Sequence, residues 1–337
     1  MALGERLSVT TVDYHTGGEP FRIVSGGVGP IPGATILDKR RFAMERLDRV
    51  RQLLVNEPRG HADMYGCFVT EPEDDSADLG VVFFHNAGYS TACGHGTIAL
   101  VTWALESGLL EVREPETRVV VDVPSGRLET VAAVEDGVVR SVRFRNVPSY
   151  VHAESLMLET SAGRLAVEVA FGGAFYASVE ARAAGLAVEP RDLPALIELG
   201  REIKRLVEAS HEVSHPLEPA LRDIYGVIFF QDENGPAPLV QRNVTIFADG
   251  EVDRSPCGSG TSARLALLER SGRLHRGDEL LHRSIVGSEF TARVVGDAEV
   301  AGLPAVVTEV EGSAYLTGYH QFVVEPDDPL GTGFLLR

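Results

Sequence analysis

A seven-residue motif occurs twice in this chain, and the distance between its copies limits how the sequence can fold. The first copy is Cys93-Gly-His-Gly-Thr-Ile-Ala and the second is Cys257-Gly-Ser-Gly-Thr-Ser-Ala, so both read C-G-x-G-T-x-A. They lie 164 positions apart in a chain of 337 residues, which is about half its length. Such an internal repeat predicts two structurally similar halves, each presenting one cysteine in the same local geometry.

Each copy of the motif lies between a predicted strand and a predicted helix. Short apolar runs at Leu79–Phe84 and Val244–Phe247 indicate buried strands before the two cysteines. Helices are predicted in four segments: Lys39–Leu54, Thr97–Leu105, Leu193–Ala209 and Thr261–Arg270. Strand-like segments outnumber these helices, so the sequence predicts an α+β protein.

A cysteine at the start of a helix suits proton-transfer chemistry. The helix dipole and the free N–H groups stabilise a thiolate, which predicts a lowered thiol pKa, and the same N–H groups can hold a carboxylate. Two such units face to face would place one sulfur on either side of a small carboxylate substrate. One sulfur would then take the α-proton while the other delivers a proton to the opposite face. The repeat therefore predicts two-base racemisation by Cys93 and Cys257, and it leaves Cys67 as a structural residue.

The charge and the apolar pattern exclude several other classes of partner. A formal net charge of −18 argues against nucleic acid and against anionic membrane surfaces. No apolar run approaches the roughly 18 residues of a membrane helix, and the N-terminus lacks a secretory signal pattern. The three cysteines form an odd, sparse set that does not suggest a disulfide framework. We therefore expect a cytoplasmic enzyme with a small-molecule substrate.

Long stretches around the two motifs resemble the proline racemase family, from about Val9 to Phe334. The matching stretches are DYHTGGEPFRIV, EPRGHADMYG, GYSTACGHGTIAL, AFGGAFYASV, DRSPCGSGTSARLALL, EGSAYLTGYHQFVVEPDDPL and GFLLR. The resemblance implies a diaminopimelate-epimerase-like fold, in which two pseudo-symmetric domains each wrap a barrel-like β-sheet around a central helix. The active site would lie between them, with no cofactor and no metal.

The same resemblance implies a domain division. Residues 1–147 together with 322–337 would form the N-terminal domain, which carries Cys93. Residues 148–321 would form the C-terminal domain, which carries Cys257. A homodimer is the oligomer we consider for this architecture.

The resemblance also assigns roles to the residues that match the family's motifs. Cys93 and Cys257 would be the catalytic bases. The substrate-binding residues would be Gly94, His95, Gly258 and Ser259 for the carboxylate, His95 and Asp253 for the ring amine, and Tyr65 and Phe247 as aromatic walls. A protonated amine in a water-poor site needs an anionic partner, which independently favours Asp253. The alternative for Asp253 is a turn or cap residue.

The motifs disagree about the substrate. A cysteine at position 257 favours a racemase or epimerase acting on proline or 4-hydroxyproline, because the related trans-3-hydroxy-L-proline dehydratases typically have threonine there. Tyr65 and the HN..GYST approach to Cys93 resemble the dehydratases instead. The alternative is therefore a trans-3-hydroxy-L-proline dehydratase that uses Cys93 as its base.

Two further alternatives belong to other classes. One is a non-catalytic proline-binding protein on the same fold. The other is a zinc site built from Cys93, His95 and Cys257, which are suitable ligand types. The segment His211-Glu-Val-Ser-His215 also matches the zinc-protease pattern H-E-x-x-H, but Pro216 disfavours the continuing helix that this pattern requires.

Overall fold

The computed structural model describes residues 6–233 and 238–336. Within these ranges the helices are α1 (Ile36–Arg46), α2 (Asp48–Val55), α3 (Gly94–Glu106), α4 (Leu193–Ser210) and α5 (Gly258–Arg270). The strands are β1 (Leu7–Thr16), β2 (Glu19–Gly26), β3 (Tyr65–Thr70), β4 (Leu79–His85), β5 (Glu116–Val123), β6 (Gly126–Glu135), β7 (Val138–Arg145), β8 (Tyr150–Thr160), β9 (Gly163–Phe171), β10 (Phe175–Glu180), β11 (Ile224–Glu233), β12 (Leu239–Phe247), β13 (Glu251–Asp253), β14 (Glu279–Ser284), β15 (Glu289–Val300), β16 (Leu303–Gly312) and β17 (Ala314–Val324).

The first half of the chain forms a barrel-like sheet around α3. Strands β1 to β7 pair in sequence order, and β17 pairs antiparallel with β1. The end of β16 pairs with β7, and one residue later the chain continues as β17, which closes the ring. Helix α3 is apolar on nearly all sides and buried along most of its length, as a helix enclosed by a sheet must be.

The second half repeats this arrangement around α5. The strand order is β8-β9-β10-β11-β12-β14-β15-β16, and a bridge between Ser149 and Val306 joins the two ends. Helix α4 packs on the outer face of β11 and β12, and α1 packs outside β4. The α+β class and the two barrel-like halves are therefore confirmed.

The predicted domain boundaries remain a prediction. Strand β17 pairs with β1 along its whole length, from Ala314 opposite Thr16 to Val324 opposite Leu7. This pairing favours placing the return to the N-terminal domain near residue 314 rather than at 322.

One helical prediction is wrong, and the expectation that the H-E-x-x-H segment does not continue as a helix is confirmed. The single helix predicted over Lys39–Leu54 is wrong, because the backbone leaves helical geometry at Leu47 (φ −116°, ψ 3°) and divides it into α1 and α2. The H-E-x-x-H segment does not lie on a helix, since His211 is already the extended C-cap residue of α4. Its two histidines therefore do not share a helix face.

Candidate active site

The N-termini of α3 and α5 meet at two glycines. A Cβ atom added to Gly94 would lie 2.5 Å from the Cα of Gly258, and one added to Gly258 would lie 2.7 Å from the Cα of Gly94. Real Cβ atoms do not approach so closely, so only glycine allows this contact. The ring of Phe144 packs beneath both positions. The positive ends of two helix dipoles consequently point at one another across a shared space.

The two cysteines occupy equivalent positions at these helix starts. Cys93 is the N-cap of α3, and its Sγ accepts a hydrogen bond from the Gly96 N–H at 3.3 Å. Cys257 is likewise the residue that immediately precedes α5, and burial raises its pKa, a rise that the Gly260 N–H only partly opposes. A Cβ atom at Gly96 would lie 2.7 Å from one sulfur and at Gly260 2.9 Å from the other. Each motif glycine three residues after the cysteine therefore keeps room for the sulfur.

The local backbones of the two cysteines nevertheless differ. Cys93 is extended, with φ −156° and ψ 98°, whereas Cys257 has φ +64° and ψ 97°. A positive φ is unfavourable for a residue with a side chain and costs on the order of 1–3 kcal/mol. Such strain is maintained only where the surrounding structure fixes the residue in place.

One small cavity brings together all the predicted catalytic and substrate-binding residues. Its lining is Tyr65, Ala92, Cys93, Gly94, His95, Tyr176, Tyr225, Thr245, Phe247, Asp253, Cys257, Gly258 and Ser259. The predicted catalytic and substrate-binding residues all belong to this set, although their individual roles stay predictions. Sequence reasoning missed Tyr176, Tyr225 and Thr245. Of these, only Tyr176 lies in a stretch that carried the family resemblance, AFGGAFYASV.

The expectation of lowered thiol pKa values is wrong for this structure. Burial raises the pKa of Cys93 well above its ordinary value, and the Gly96 N–H offsets this only in part. Burial likewise raises the pKa of Cys257, with a further increase from the negative charge of Asp253. The helix starts supply the stabilisation that we expected, but desolvation outweighs it. Both thiols are therefore protonated at neutral pH.

Asp253 and His95 give the cavity one anionic and one neutral polar group. Burial raises the pKa of Asp253 to about 6, although hydrogen bonding from Ser255 opposes this shift. Burial lowers the pKa of His95 to about 3, so its ring is neutral at pH 7. The His95 ring lies 4.0 Å from the Asp253 carboxylate and 3.5 Å from the Cys93 Sγ. An ionised carboxylate in a water-poor cavity attracts a cation such as a protonated amine.

Phenol groups from both halves complete the walls. The Tyr65 hydroxyl bonds to that of Ser90 and, at 2.9 Å, to the Tyr225 hydroxyl on the opposite half. The Tyr176 hydroxyl lies 2.6 Å from the Ser259 hydroxyl and 3.8 Å from the Cys257 Sγ. The Tyr176 hydroxyl thus connects the Cys257 thiol to the Ser259 hydroxyl.

A buried ion-pair contact holds the two halves together beside the cavity. Glu19 of the first half accepts hydrogen bonds from the backbone N–H and the Nε of Arg254, at 2.8 and 2.7 Å. The Arg254 guanidinium also donates to the Asp63 carbonyl at 3.0 Å. Arg254 directly follows Asp253, so this contact fixes the segment that carries the cavity's carboxylate.

The described part of the chain holds neither a cluster of potential metal ligands nor a helix that could span a membrane. Across residues 6–233 and 238–336, no group of three or more His, Cys, Asp or Glu side chains is placed to hold a metal ion. In the same ranges no helix is long and apolar enough to cross a membrane.

Comparison with known proteins identifies the family. The profile described as Proline racemase matches residues 11–335, nearly the whole chain. The chain belongs to the proline racemase family. This membership confirms the predicted resemblance. It also identifies the chain as an enzyme and supports an isomerase activity.

Curated relatives and solved structures agree with this assignment. The chain is 46% identical to a trans-3-hydroxy-L-proline dehydratase of Bacillus cereus, over 97% of this chain and 98% of the relative. It is 45% identical to a 3-hydroxyproline 2-epimerase of Burkholderia multivorans, over 98% of both chains. A hydroxyproline epimerase from Agrobacterium vitis, solved with bound trans-4-hydroxy-L-proline, matches with a TM-score of 0.91 and 36% identity, over 98% of this chain and 96% of that one.

Proposed function

We propose that the protein inverts the α-carbon of a proline-type imino acid by transferring protons at Cys93 and Cys257, without a cofactor. One observation carries the proposal. Two equivalent helix starts, joined at Gly94 and Gly258, each present a thiol to the same cavity. A two-base inversion needs this arrangement, because the proton must leave one face of the carbon and arrive at the other.

The opposed helix starts would bind and activate the substrate carboxylate. The backbone N–H groups of Gly94, His95, Gly258 and Ser259 lie at the first turns of α3 and α5, where no intrahelical acceptor is available. When the α-proton leaves, negative charge spreads onto the carboxylate, and preorganised N–H donors stabilise that charge. Asp253 would hold the ring amine, while Tyr65 and Phe247 would exclude water from the faces of the ring.

The raised thiol pKa values fit a reaction that starts only when substrate is present. In the free protein both thiols are protonated, as burial dictates. A bound ammonium group adds positive charge to the cavity, and this favours the loss of one thiol proton to solvent, which leaves one thiolate and one thiol. That thiolate removes the Cα proton, and the opposite thiol protonates the other face of the carbon. After one turnover the two sulfurs have exchanged their protonation states.

The relatives indicate which proline-type imino acids are candidate substrates. A 45% identical relative is named for 3-hydroxyproline 2-epimerisation, and the matched Agrobacterium structure holds trans-4-hydroxy-L-proline. We therefore extend the expected substrates from proline and 4-hydroxyproline to 3-hydroxyproline.

Dehydration of trans-3-hydroxy-L-proline is a second candidate, favoured by the name of the 46% identical Bacillus relative. The two reactions share their first step, removal of the α-proton. They separate afterwards, because the carbanion either receives a proton from the second thiol or expels the hydroxyl group from C3.

Proton NMR in D₂O tests the proposal with L-proline, trans-4-hydroxy-L-proline and trans-3-hydroxy-L-proline. Loss of the α-proton signal with appearance of the epimer is expected, and a pyrroline product would instead identify the dehydratase. We expect Cys257→Ser to abolish epimerisation, whereas Cys67→Ala, which removes a buried thiol outside the cavity, should retain it. Full epimerase activity in Cys257→Ser would contradict the two-base assignment.

A further inference from the structure

The interiors of the two barrels differ in polarity at equivalent positions. On the strand before each cysteine, Leu79 and Val81 of β4 correspond, at the 164-residue offset, to Asn243 and Thr245 of β12. Each of these four side chains is at least 95% buried. The neighbouring parallel strand repeats the contrast, because Val121 pairs with Leu79 whereas Ser284 pairs with Asn243. The first barrel is thus apolar where the second is polar.

Several polar atoms inside the second barrel have no hydrogen-bond partner among the described residues. They are Asn243 Nδ2 and Oδ1, Gln241 Oε1, His282 Nε2, Ser178 Oγ and Arg264 Nε. All five side chains are at least 99% buried. A buried polar atom without a hydrogen bond is unfavourable, and native proteins commonly satisfy such atoms by enclosing ordered water.

These groups form a line from the active site to the end of the barrel. Thr245 lines the cavity together with Cys257, and its buried hydroxyl is a further polar atom with no hydrogen-bond partner among the described residues. Asn243 and Gln241 follow on the same face of β12, each about 7 Å from the last, a spacing that bridging water can span. At the far end, Gln241 Nε2 donates to Asp232 Oδ1 at 2.7 Å, and the Asp232 side chain is 39% exposed.

We propose that the second barrel holds a file of water molecules along Thr245, Asn243 and Gln241, and that this file exchanges protons between Cys257 and solvent. The Cys257 Sγ–H bond breaks and its proton passes to the first water. Each water passes one proton onward, and one proton enters solvent near Asp232, leaving a thiolate. The reverse sequence restores the thiol, so no other reactant is consumed. This inference rests on the proposed two-cysteine reaction.

Among the described residues, β4 and β5 offer Cys93 no matching line of polar side chains. The equivalent positions around α3 are Leu79, Val81 and Val121, which offer water no hydrogen bonds. The two otherwise equivalent thiols should therefore exchange protons with solvent at different rates, with Cys257 the faster. A deuteron taken from substrate by Cys257 is lost to water, whereas one taken by Cys93 is retained longer.

A crystal structure of the unmodified protein tests the water file without any activity measurement. We expect ordered water within hydrogen-bond distance of both Asn243 and Gln241, and none beside Leu79 and Val81. A dry interior in the second barrel would overturn the inference and would leave the two-cysteine proposal untouched.

Isotope capture tests the proton route. Each α-deuterated epimer is converted by the enzyme in H₂O in the presence of a large pool of unlabelled product. A deuteron that stays on the sulfur can be transferred to a molecule of that pool, so the deuterium content of the pool is measured. The Cys257→Ser variant identifies the epimer whose α-proton faces Cys93, because only that epimer should still exchange its α-proton with solvent. In the unmodified protein we expect the pool to capture several-fold less deuterium through Cys257 than through Cys93. In Asn243→Leu, which places in the second barrel the residue found at Leu79 in the first, capture through Cys257 should rise to the level of Cys93.

Leu79→Met is the control, because it changes the packing of a buried side chain in the first barrel without adding or removing a strong hydrogen-bonding group; it should leave the deuterium capture through both thiols unchanged. Equal capture through the two thiols of the unmodified protein, which needs no variant to fold, would overturn the inference. So would an Asn243→Leu variant that folds and still captures little deuterium through Cys257.

Discussion

Replacing Gly94 by alanine should separate the two helix starts and reduce turnover strongly. The added Cβ would lie 2.5 Å from the Cα of Gly258, whereas ordinary contacts are 3.4–4 Å, so the two backbones must move apart by about 1 Å. A displacement of about 1 Å between catalytic groups costs on the order of 100-fold in rate. The overpacked contact should also lower the free energy of unfolding by about 1–3 kcal/mol.

Steady-state kinetics and urea unfolding measure the two effects separately. Gly29→Ala is the matched control, because a Cβ atom there meets nothing within 4 Å and the backbone does not have a positive φ. We expect this control to keep normal turnover and equal or slightly higher stability. A folded Gly94→Ala enzyme with kcat within about threefold of the unmodified protein would refute the argument that this glycine contact sets the distance between the thiols.

Three other perturbations have expected outcomes. Because burial raises the pKa of Asp253 to about 6, kcat/KM should fall as pH drops below 6, and Asp253→Asn should lose that acid limb; an unchanged limb would exclude Asp253 as its source. The same raised pKa makes Asp253 less favourable to folding as pH rises from about 4 through 6, so Asp253→Asn should gain stability at pH 8 but not at pH 3, measured by urea unfolding. Phe144→Ala removes the buried ring beneath both glycines and should cost about 3–5 kcal/mol of unfolding free energy, so a loss under 1 kcal/mol would contradict that packing role. Alkylation of Cys93 and Cys257 by iodoacetamide should be slow at pH 7 and faster above pH 9, and pyrrole-2-carboxylate should protect both thiols; fast alkylation at pH 7 would contradict the raised pKa values.

The duplicated motif made much of the site predictable. It located Cys93 and Cys257 at the starts of α3 and α5, and it predicted two similar halves. Tyr225 and Thr245 were not found, because they lie on β11 and β12 outside the quoted motif stretches, and these strands reach the cavity only through strand pairing. Pairing between distant segments leaves no local signal in the sequence.

The error in the thiol pKa values has a different physical origin. A sequence indicates that a cysteine starts a helix, and the stabilising effect of the helix start is local. It does not indicate how completely the opposite half covers that cysteine. The coverage of Cys93 and Cys257 is nearly complete, and the cost of desolvation depends on it.

The course of β16 and β17 has a consequence for synthesis of the chain. The ring around α3 is completed by residues 314–324, which leave the ribosome after the entire second barrel has been made. Domains usually fold in the order of their synthesis. In this protein the first barrel keeps an unpaired strand edge until the last tenth of the chain has been synthesised. The half that is translated first is therefore the half that completes its fold last.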